Sequence, residues 1–386
     1  MSRGDYGKIS IFVLVDALGW ECVRSSKFLT DLLPFRRPVE TVLGFSSAAI
    51  PTILSGQMPE VHSHWCLFKR GGLLSCFSWT APLRLLPRKL RENHRTRRSV
   101  ERMTRALFRI SGYFCLYEVP VSMLHRLDYV ERRDLWQPGA LADCSTILDT
   151  LSARSIPFYA SGWRGTDEKR LEATVRGVAQ SPVRCCFLYF SELDAALHTF
   201  GLDSAQAEAE LVAASVRIRR LVARTQELYS EVELFVFSDH GMTSVVEGHD
   251  LQSVMASTGP RRSRYMAFYD STMARFWPKD DPTGEIVRET LSSVPYGRVL
   301  SSDELSELGL GFNGNRYGEI IFVMDPGHVV VPSFVSTGVP RAMHGFHPSD
   351  PFSRACFLSR DEPESAPGHI KDMHSFFRTR LGLERE

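Results

Sequence analysis

The chain has no CxxC pair, no apolar run long enough to cross a bilayer, no internal repeat and no low-complexity tract, and each absence closes off a class of protein. Its eight cysteines (Cys22, Cys66, Cys76, Cys115, Cys144, Cys185, Cys186 and Cys356) are scattered without regular spacing. That excludes a zinc ribbon and fits free thiols in a reducing compartment better than a disulfide framework, so a cytoplasmic location is expected. The apolar run near the N-terminus, residues 9–15, stops at Asp16. It is too short for a signal core with a cleavage site and far too short for a membrane span. Charge of one sign is not in excess either: 46 Lys and Arg against 45 Asp and Glu leave +1, so the global charge names no partner. What remains is ordinary globular composition, 43% hydrophobic and 24% charged, in 386 residues, enough for one large core with insertions.

Short apolar runs recur with helical patterns between them: "ISIFVLVD", "IPFYASG", "RCCFLYFSELD" and "VELFVFSDHG". Without polar alternation they read as central strands of a mostly parallel sheet covered on both faces, hence an α/β fold. The strongest helix signal lies over 204–232, with Leu211, Val212, Val216, Leu221, Val222 and Leu228 recurring every three or four residues and Asp203 or Ser204 as its cap. Three strands end in an acid, Asp16, Asp194 and Asp239. One such Asp alone reads as a cap or turn residue. Three together, two of them followed by histidines, predict convergence beyond the carboxyl ends of the strands, where open α/β sheets bind ligands.

Two stretches depart from this rhythm. Residues 66–140 carry a basic amphipathic pattern, with Arg84, Arg88, Lys89, Arg91, Arg95, Arg97, Arg98, Arg102, Arg105 and Arg109 interleaved with Leu, Met and Phe. It reads as a solvated helix face, an anionic-substrate cap or a membrane-surface patch. Residues 259–335 read as a second small insertion. The expected organisation is a catalytic core in three pieces, 1–65, 141–258 and 336–386, interrupted by those two segments.

The chemistry-bearing residues are spread along the core. "SELDAALHTFG" sets Asp194 and His198 four apart, on one face of a helical turn. "FVFSDHGMTS" adds Asp239 and His240, and "AMHGFHPSDP" adds His344 and His347. Carboxylate oxygens and imidazole nitrogens suit zinc or a similar divalent ion, and a pair of such ions can clamp an in-line phosphoryl displacement. In "VLGFSSAAIPTILSGQMPEVHSH", residues 42–64, adjacent serines raise the question of a nucleophile. A serine hydroxyl is a poor one at neutral pH unless something activates it.

In chain order the pieces "VLVDALGW", "FSSAAIPTILSGQMPEVHSH", "ELDAALHTFG", "SDHGMTS" and "MHGFHPSDP" resemble the alkaline phosphatase superfamily, and within it the type I phosphodiesterase and nucleotide pyrophosphatase branch. The resemblance implies a three-layer sandwich with a mostly parallel central sheet and inserted cap segments. It also implies a phosphodiester hydrolase that works through a phosphoseryl intermediate with two divalent ions, zinc, or manganese as the alternative. Carried over residue by residue, Asp194, His198 and His344 would hold one ion and Asp16, Asp239 and His240 the other. Ser46, ten residues before Gly56, would be the bridging nucleophile, and Ser47 a packing or turn residue.

The pattern breaks after "PExH". Ser63 stands where the family has glycine, and Leu67 falls near the place of its phosphate-binding Asn. His64 and Lys69 are the candidates for substrate binding, and His62 for orienting the loop. The expected substrate is a phosphodiester, either a small molecule or a lipid-linked or glycosyl phosphate, with membrane-surface contact as a further possibility and no nucleic acid. A phosphomonoesterase on the same fold, or a non-catalytic membrane- or protein-binding derivative, is the alternative.

Overall fold

The structure is a computed structural model and describes residues 6–72 and 74–384. The outermost residues of the expected core pieces, and Leu73 in the first insertion, lie outside the described residues. In chain order the strands are β1 (Tyr6–Val15), β2 (Phe35–Val39), β3 (Phe68–Arg70), β4 (Leu127–Tyr129), β5 (Phe158–Ala160), β6 (Cys185–Phe190), β7 (Tyr229–Phe237) and β8 (Thr243–Ser244). They continue with β9 (Glu247–His249), β10 (Tyr265–Tyr269), β11 (Met273–Pro278), β12 (Gly297–Val299), β13 (Ile320–Met324), β14 (His328–Val330), β15 (Ala342–Met343) and β16 (Ala355–Ser359).

The central sheet runs β2-β16-β7-β1-β6-β5. β7, β1, β6 and β5 are parallel, and β16 lies antiparallel to both of its neighbours. Alternation along β1 explains why its sequence is apolar throughout from Ile11 to Val15. Ile9, Ile11, Val13 and Val15 join one hydrophobic cluster, whereas Phe12 and Leu14 join another on the opposite face. The first face is covered by helices Asp167–Gln180 and Ala205–Gln226, the second by Ser46–Ser55, Ile147–Ala153 and Asp372–Arg380. This is the three-layer α/β sandwich that the sequence implied.

Ser204 caps the long helix, accepting from the Ala207 N–H at 3.1 Å. Its buried stripe is Ala207, Ala214, Ile218, Leu221 and Thr225: of the anticipated leucines and valines Leu221 belongs to it, whereas Val212 and Val216 are exposed. Ala207, Ala214 and Thr225 let the helix lie close to its neighbours, and the spacing of leucines and valines alone does not report that.

Both segments that departed from the core rhythm fold together. Residues 259–335 contain the antiparallel sheet β10-β11-β13-β12 with helix Asp281–Ser292 against it. The first segment contributes the β3–β4 ribbon and helix His94–Leu107. Phe68 stacks on Phe268 at 5.4 Å, and the buried Arg275 guanidinium donates to Phe68 O at 2.8 Å. One apolar cluster spans both segments, so the two insertions form a single lobe.

Candidate active site

The site lies where sequence logic places it, beyond the carboxyl ends of β1, β6 and β7. Asp16 directly follows β1, Asp239 and His240 follow β7, and Asp194 and His198 lie on helix Glu192–Phe200 just after β6. His344 arrives from β15, which pairs with β8 beyond the Asp239–His240 turn. Ser46 is the first residue of helix Ser46–Ser55, where the leading N–H groups have no intrahelical acceptor and the helix dipole favours negative charge. Gly56 ends this helix at φ 70°, and a Cβ there would stand 3.0 Å from His374 Cβ.

Two histidines have one ring nitrogen fixed by backbone. A carbonyl oxygen can only accept, so His240 Nδ1–H donates to Gly241 O at 3.0 Å and His198 Nδ1–H to Ala342 O at 2.8 Å. In the neutral rings both Nε2 atoms are then lone pairs. His240 Nε2 faces Ser46 Oγ at 3.0 Å, Asp239 Oδ2 at 3.2 Å and Asp16 Oδ1 at 3.4 Å. His198 Nε2 faces Asp194 Oδ1 at 3.3 Å, and His344 Nε2 lies 3.7 Å from the same oxygen. The His240 and His344 rings stack at 3.8 Å.

Asp16 Oδ1, Asp194 Oδ1, Asp239 Oδ2 and His344 Nδ1 are buried without a hydrogen-bond partner. Lone pairs facing lone pairs in a dry site are tolerable only with protons or cations between them. The carboxyls show the same tension. Burial and the neighbouring Asp239 and Asp194 push the Asp16 carboxyl well above the usual range, and burial pushes Asp239 up against the opposing pull of His240. Asp194 resists its burial and sits below the usual range because His198, His344 and His240 surround it. Burial and the adjacent His240 hold the His344 ring neutral.

Two sets of potential ligand atoms each lie within 4.8 Å of one another: Asp16, Asp239 and His240; and Asp194, His240 and His344. The donor types and unpartnered atoms fit divalent metal ions. The second set contains His240 where the sequence expectation had His198, which stands at its edge on Asp194. A third acidic group, Asp167, Glu192 and Glu210, is already paired with arginines: Arg170 bonds Asp167, and Arg217 lies 2.5 Å from Glu210 and 2.9 Å from Glu192.

The other sequence candidates fall outside the cluster. Ser47 Oγ donates to Trp65 O at 2.9 Å, a packing contact. His62 Nδ1 accepts from the His64 N–H at 3.2 Å, so Nε2 carries the proton and donates to Thr52 Oγ1 at 3.0 Å. Burial and nearby His64 lower its pKa to about 3, and it acts as a neutral strut between the loop and the helix bearing Ser46. Ser63 takes the left-handed conformation at φ 62°, the geometry for which glycine is the default. His347 turns to Glu304 at 3.3 Å.

A cavity of about 560 Å³ opens from Ser46, Asp16, Asp194, His198 and His344. Its walls are aromatic: Phe45, Phe68, Tyr113, Tyr117, Trp136, Trp163, Tyr189, Phe268 and Phe334 all contribute, and Leu67 lines it too. His64 and Lys69 do not, and among the described residues lining it there is no Lys or Arg. The placement of His64 and Lys69 thus departs from the expectation that they meet the substrate: His64 is buried in the turn after His62, and Lys69 sits in the β3–β4 ribbon opposite Asp128.

Sequence reading missed Tyr189, whose hydroxyl donates to Asp16 Oδ2 at 2.5 Å, and Glu131, a buried acid on the cavity wall. Tyr189 was open to inference, because it stands at the C-terminal end of a strand adjacent to β1, in register with Leu14.

A sequence profile of the family described as type I phosphodiesterase / nucleotide pyrophosphatase matches residues 90–350. The chain belongs to this family. It is a phosphoric ester hydrolase, and the family is metal-dependent, in keeping with the carboxylate–imidazole cluster. Among solved structures, human ectonucleotide pyrophosphatase / phosphodiesterase 5 aligns with TM-score 0.70 at 15% identity, covering 98% of this chain and 96% of that one. The murine protein of the same name aligns with TM-score 0.67 at 16% identity, covering 97% and 95%. An inactive form of the murine protein was solved in complex with AMP. These likenesses establish the fold. No curated protein matches the sequence.

Proposed function

We propose that the protein hydrolyses phosphodiesters through Ser46, with Asp16, Asp239 and His240 holding one divalent ion and Asp194, His198 and His344 a second. The observation that carries this reading is the 3.0 Å contact between Ser46 Oγ and His240 Nε2 at the border of the two carboxylate–imidazole groups. Zinc fits the mixed N/O donors, with manganese as the alternative. When bound, the ions supply neutralising charge for the phosphoryl oxygens and acidify the hydroxyl and water nucleophiles. Ser46 Oγ displaces the leaving oxygen from phosphorus, giving a phosphoseryl adduct and an alcohol, and water then displaces Oγ to release the phosphomonoester. The start of the Ser46 helix supports the developing negative charge.

The cavity favours a diester over a monoester. A dianionic phosphate needs an additional cationic group, and the described lining offers none. Its aromatic walls suit a bulky apolar or aromatic substituent, such as a lipid chain. Turnover of bis-(p-nitrophenyl) phosphate and p-nitrophenyl phosphate by wild type, Ser46→Ala and Ser47→Ala tests the reading. Diester activity lost only in Ser46→Ala, with metal retained, supports it. Loss in Ser47→Ala instead, or preference for the monoester, contradicts it.

The basic insertion supports contact with an anionic lipid surface. Arg91, Arg97 and Arg105 are tied to backbone carbonyls of their own lobe. Arg84, Arg88, Lys89, Arg95, Arg98, Arg102 and Arg109 remain exposed, alongside exposed Leu85, Leu86, Leu90, Met103, Leu107 and Phe108. Exposed apolar side chains among cations are the pattern of an interfacial helix. No helix among the described residues is long and apolar enough to cross a membrane. The eight cysteines are all unpaired, which supports a reducing, cytoplasmic compartment.

A further inference from the structure

A second set of metal-ligating side chains lies outside this site, on the parallel ribbon formed by β9 and β14. The register pairs Glu247 with His328 and His249 with Val330. Residues paired across strands share a face, as do residues two apart on one strand, so Glu247, His249 and His328 project from the same face. One ligand atom from each lies within 4.8 Å of the others. His249 Nε2 is 2.9 Å from His328 Nδ1 and 3.9 Å from Glu247 Oε2. The His249 ring is clamped flat against Tyr296, with centroids 3.6 Å apart and planes 8° apart.

We propose that Glu247, His249 and His328 bind one zinc-like divalent ion that ties β9 to β14. Two imidazole nitrogens and a carboxylate oxygen are a set that zinc accepts, with water completing the tetrahedron. Two nitrogens bound to zinc at about 2.0–2.1 Å stand about 3.3 Å apart. The 2.9 Å contact needs only a small outward movement to reach that spacing. Without an ion, the facing nitrogens share a single proton. The half-shielded histidines and the exposed Glu247 leave the ion a path from solvent.

The location gives the ion a purpose. β9 continues the chain that leaves the Asp239–His240 turn through β8, and β14 precedes the stretch leading to β15 and His344. An ion joining β9 to β14 therefore braces both segments that carry histidines into the catalytic cluster. The proposal does not rest on the role given to Ser46.

Zinc per chain, measured by elemental mass spectrometry after equilibrium dialysis against buffered zinc, tests it in wild type, His249→Gln, His328→Gln and Tyr296→Phe. Each histidine variant is expected to hold one ion fewer than wild type, and Tyr296→Phe, which keeps the ring and all three ligands, the same number. Histidine variants that hold as many ions as wild type overturn the proposal. Should a histidine variant not fold, Glu247→Gln, at an exposed position, replaces it. Its apparent zinc affinity at this ribbon is expected to fall about tenfold or more, and an unchanged affinity overturns the proposal. Because the comparison leaves the catalytic cluster intact, its result is separable from the fate of the phosphodiesterase reading.

Discussion

Replacing Tyr189 by Phe removes one oxygen atom and isolates what a neighbour of the cluster does. The Tyr189 hydroxyl donates to Asp16 Oδ2 at 2.5 Å, while Asp16 Oδ1 has no hydrogen-bond partner and faces the cluster, 3.4 Å from His240 Nε2. The hydroxyl thus fixes which carboxylate oxygen points inward and stabilises the ionised form against burial. A hydrogen bond to a charged group contributes about 1.5–3 kcal/mol, equivalent to about 10- to 150-fold in an equilibrium constant. The same range is expected for the loss of apparent metal affinity, and of kcat/KM at limiting metal. The ring itself is retained: it stacks on Trp136 at 5.5 Å, with the Arg170 guanidinium 5.4 Å from its centroid, and Phe preserves both contacts. The circular dichroism spectrum should therefore match wild type, and kcat should recover with excess metal. Wild-type metal affinity and kcat/KM in folded Tyr189→Phe would refute the reasoning and reduce the contact to packing.

Three other outcomes follow from particular residues. Burial pushes the Glu131 carboxyl up to about 8. The folded protein then keeps that proton while the unfolded chain releases it near the ordinary glutamate value, so stability falls as pH rises through that window and levels off above about 8. In urea melts across the window, Glu131→Gln should gain on wild type by up to about 1.4 kcal/mol per pH unit, whereas a pH-independent difference would contradict the assignment. Gly56→Ala forces a Cβ into a φ of 70° and against His374, and should cost about 1–2 kcal/mol in the same melts. The triple change of Arg95, Arg98 and Arg102 to Ala removes three exposed charges from one face of helix His94–Leu107. At about 1 kcal/mol each it should weaken binding to phosphatidylserine-containing vesicles roughly 100-fold, and unaltered binding would show that the face does not meet lipid.

Much of the site was legible in the sequence because it follows strand ends. The C-terminal parts of β1 and β7, and β6, are apolar on both faces, and the chain must turn where each run stops, so Asp16, Asp194 and Asp239 could be placed from sequence alone. The Asp194–His198 pairing followed from helical spacing. That His240 stands among the ligands of both groups was not legible, since it depends on the side-by-side stacking of His240 and His344. The edge strand β2 and its inner neighbour β16 escaped notice because "FRRPV" and "ACFLS" are short and lack the long apolar signature. The shared core of the two insertions depends on contacts such as Phe68 with Phe268, about two hundred residues apart in sequence, for which a single sequence holds no signal. That His64 is buried in the turn after His62 and Lys69 lies in the β3–β4 ribbon, neither lining the cavity, depends on contacts that a local motif does not report.

The central claim is that Ser46 carries the phosphoryl group, and a rapid acid quench tests it most directly. During turnover of an aryl phosphodiester, peptide mass spectrometry of the quenched enzyme should find the aryl phosphoryl group esterified to Ser46, absent from Ser46→Ala. A burst of aryl alcohol with no aryl-phosphorylated peptide, the adduct on another residue, or wild-type turnover by Ser46→Ala would contradict it.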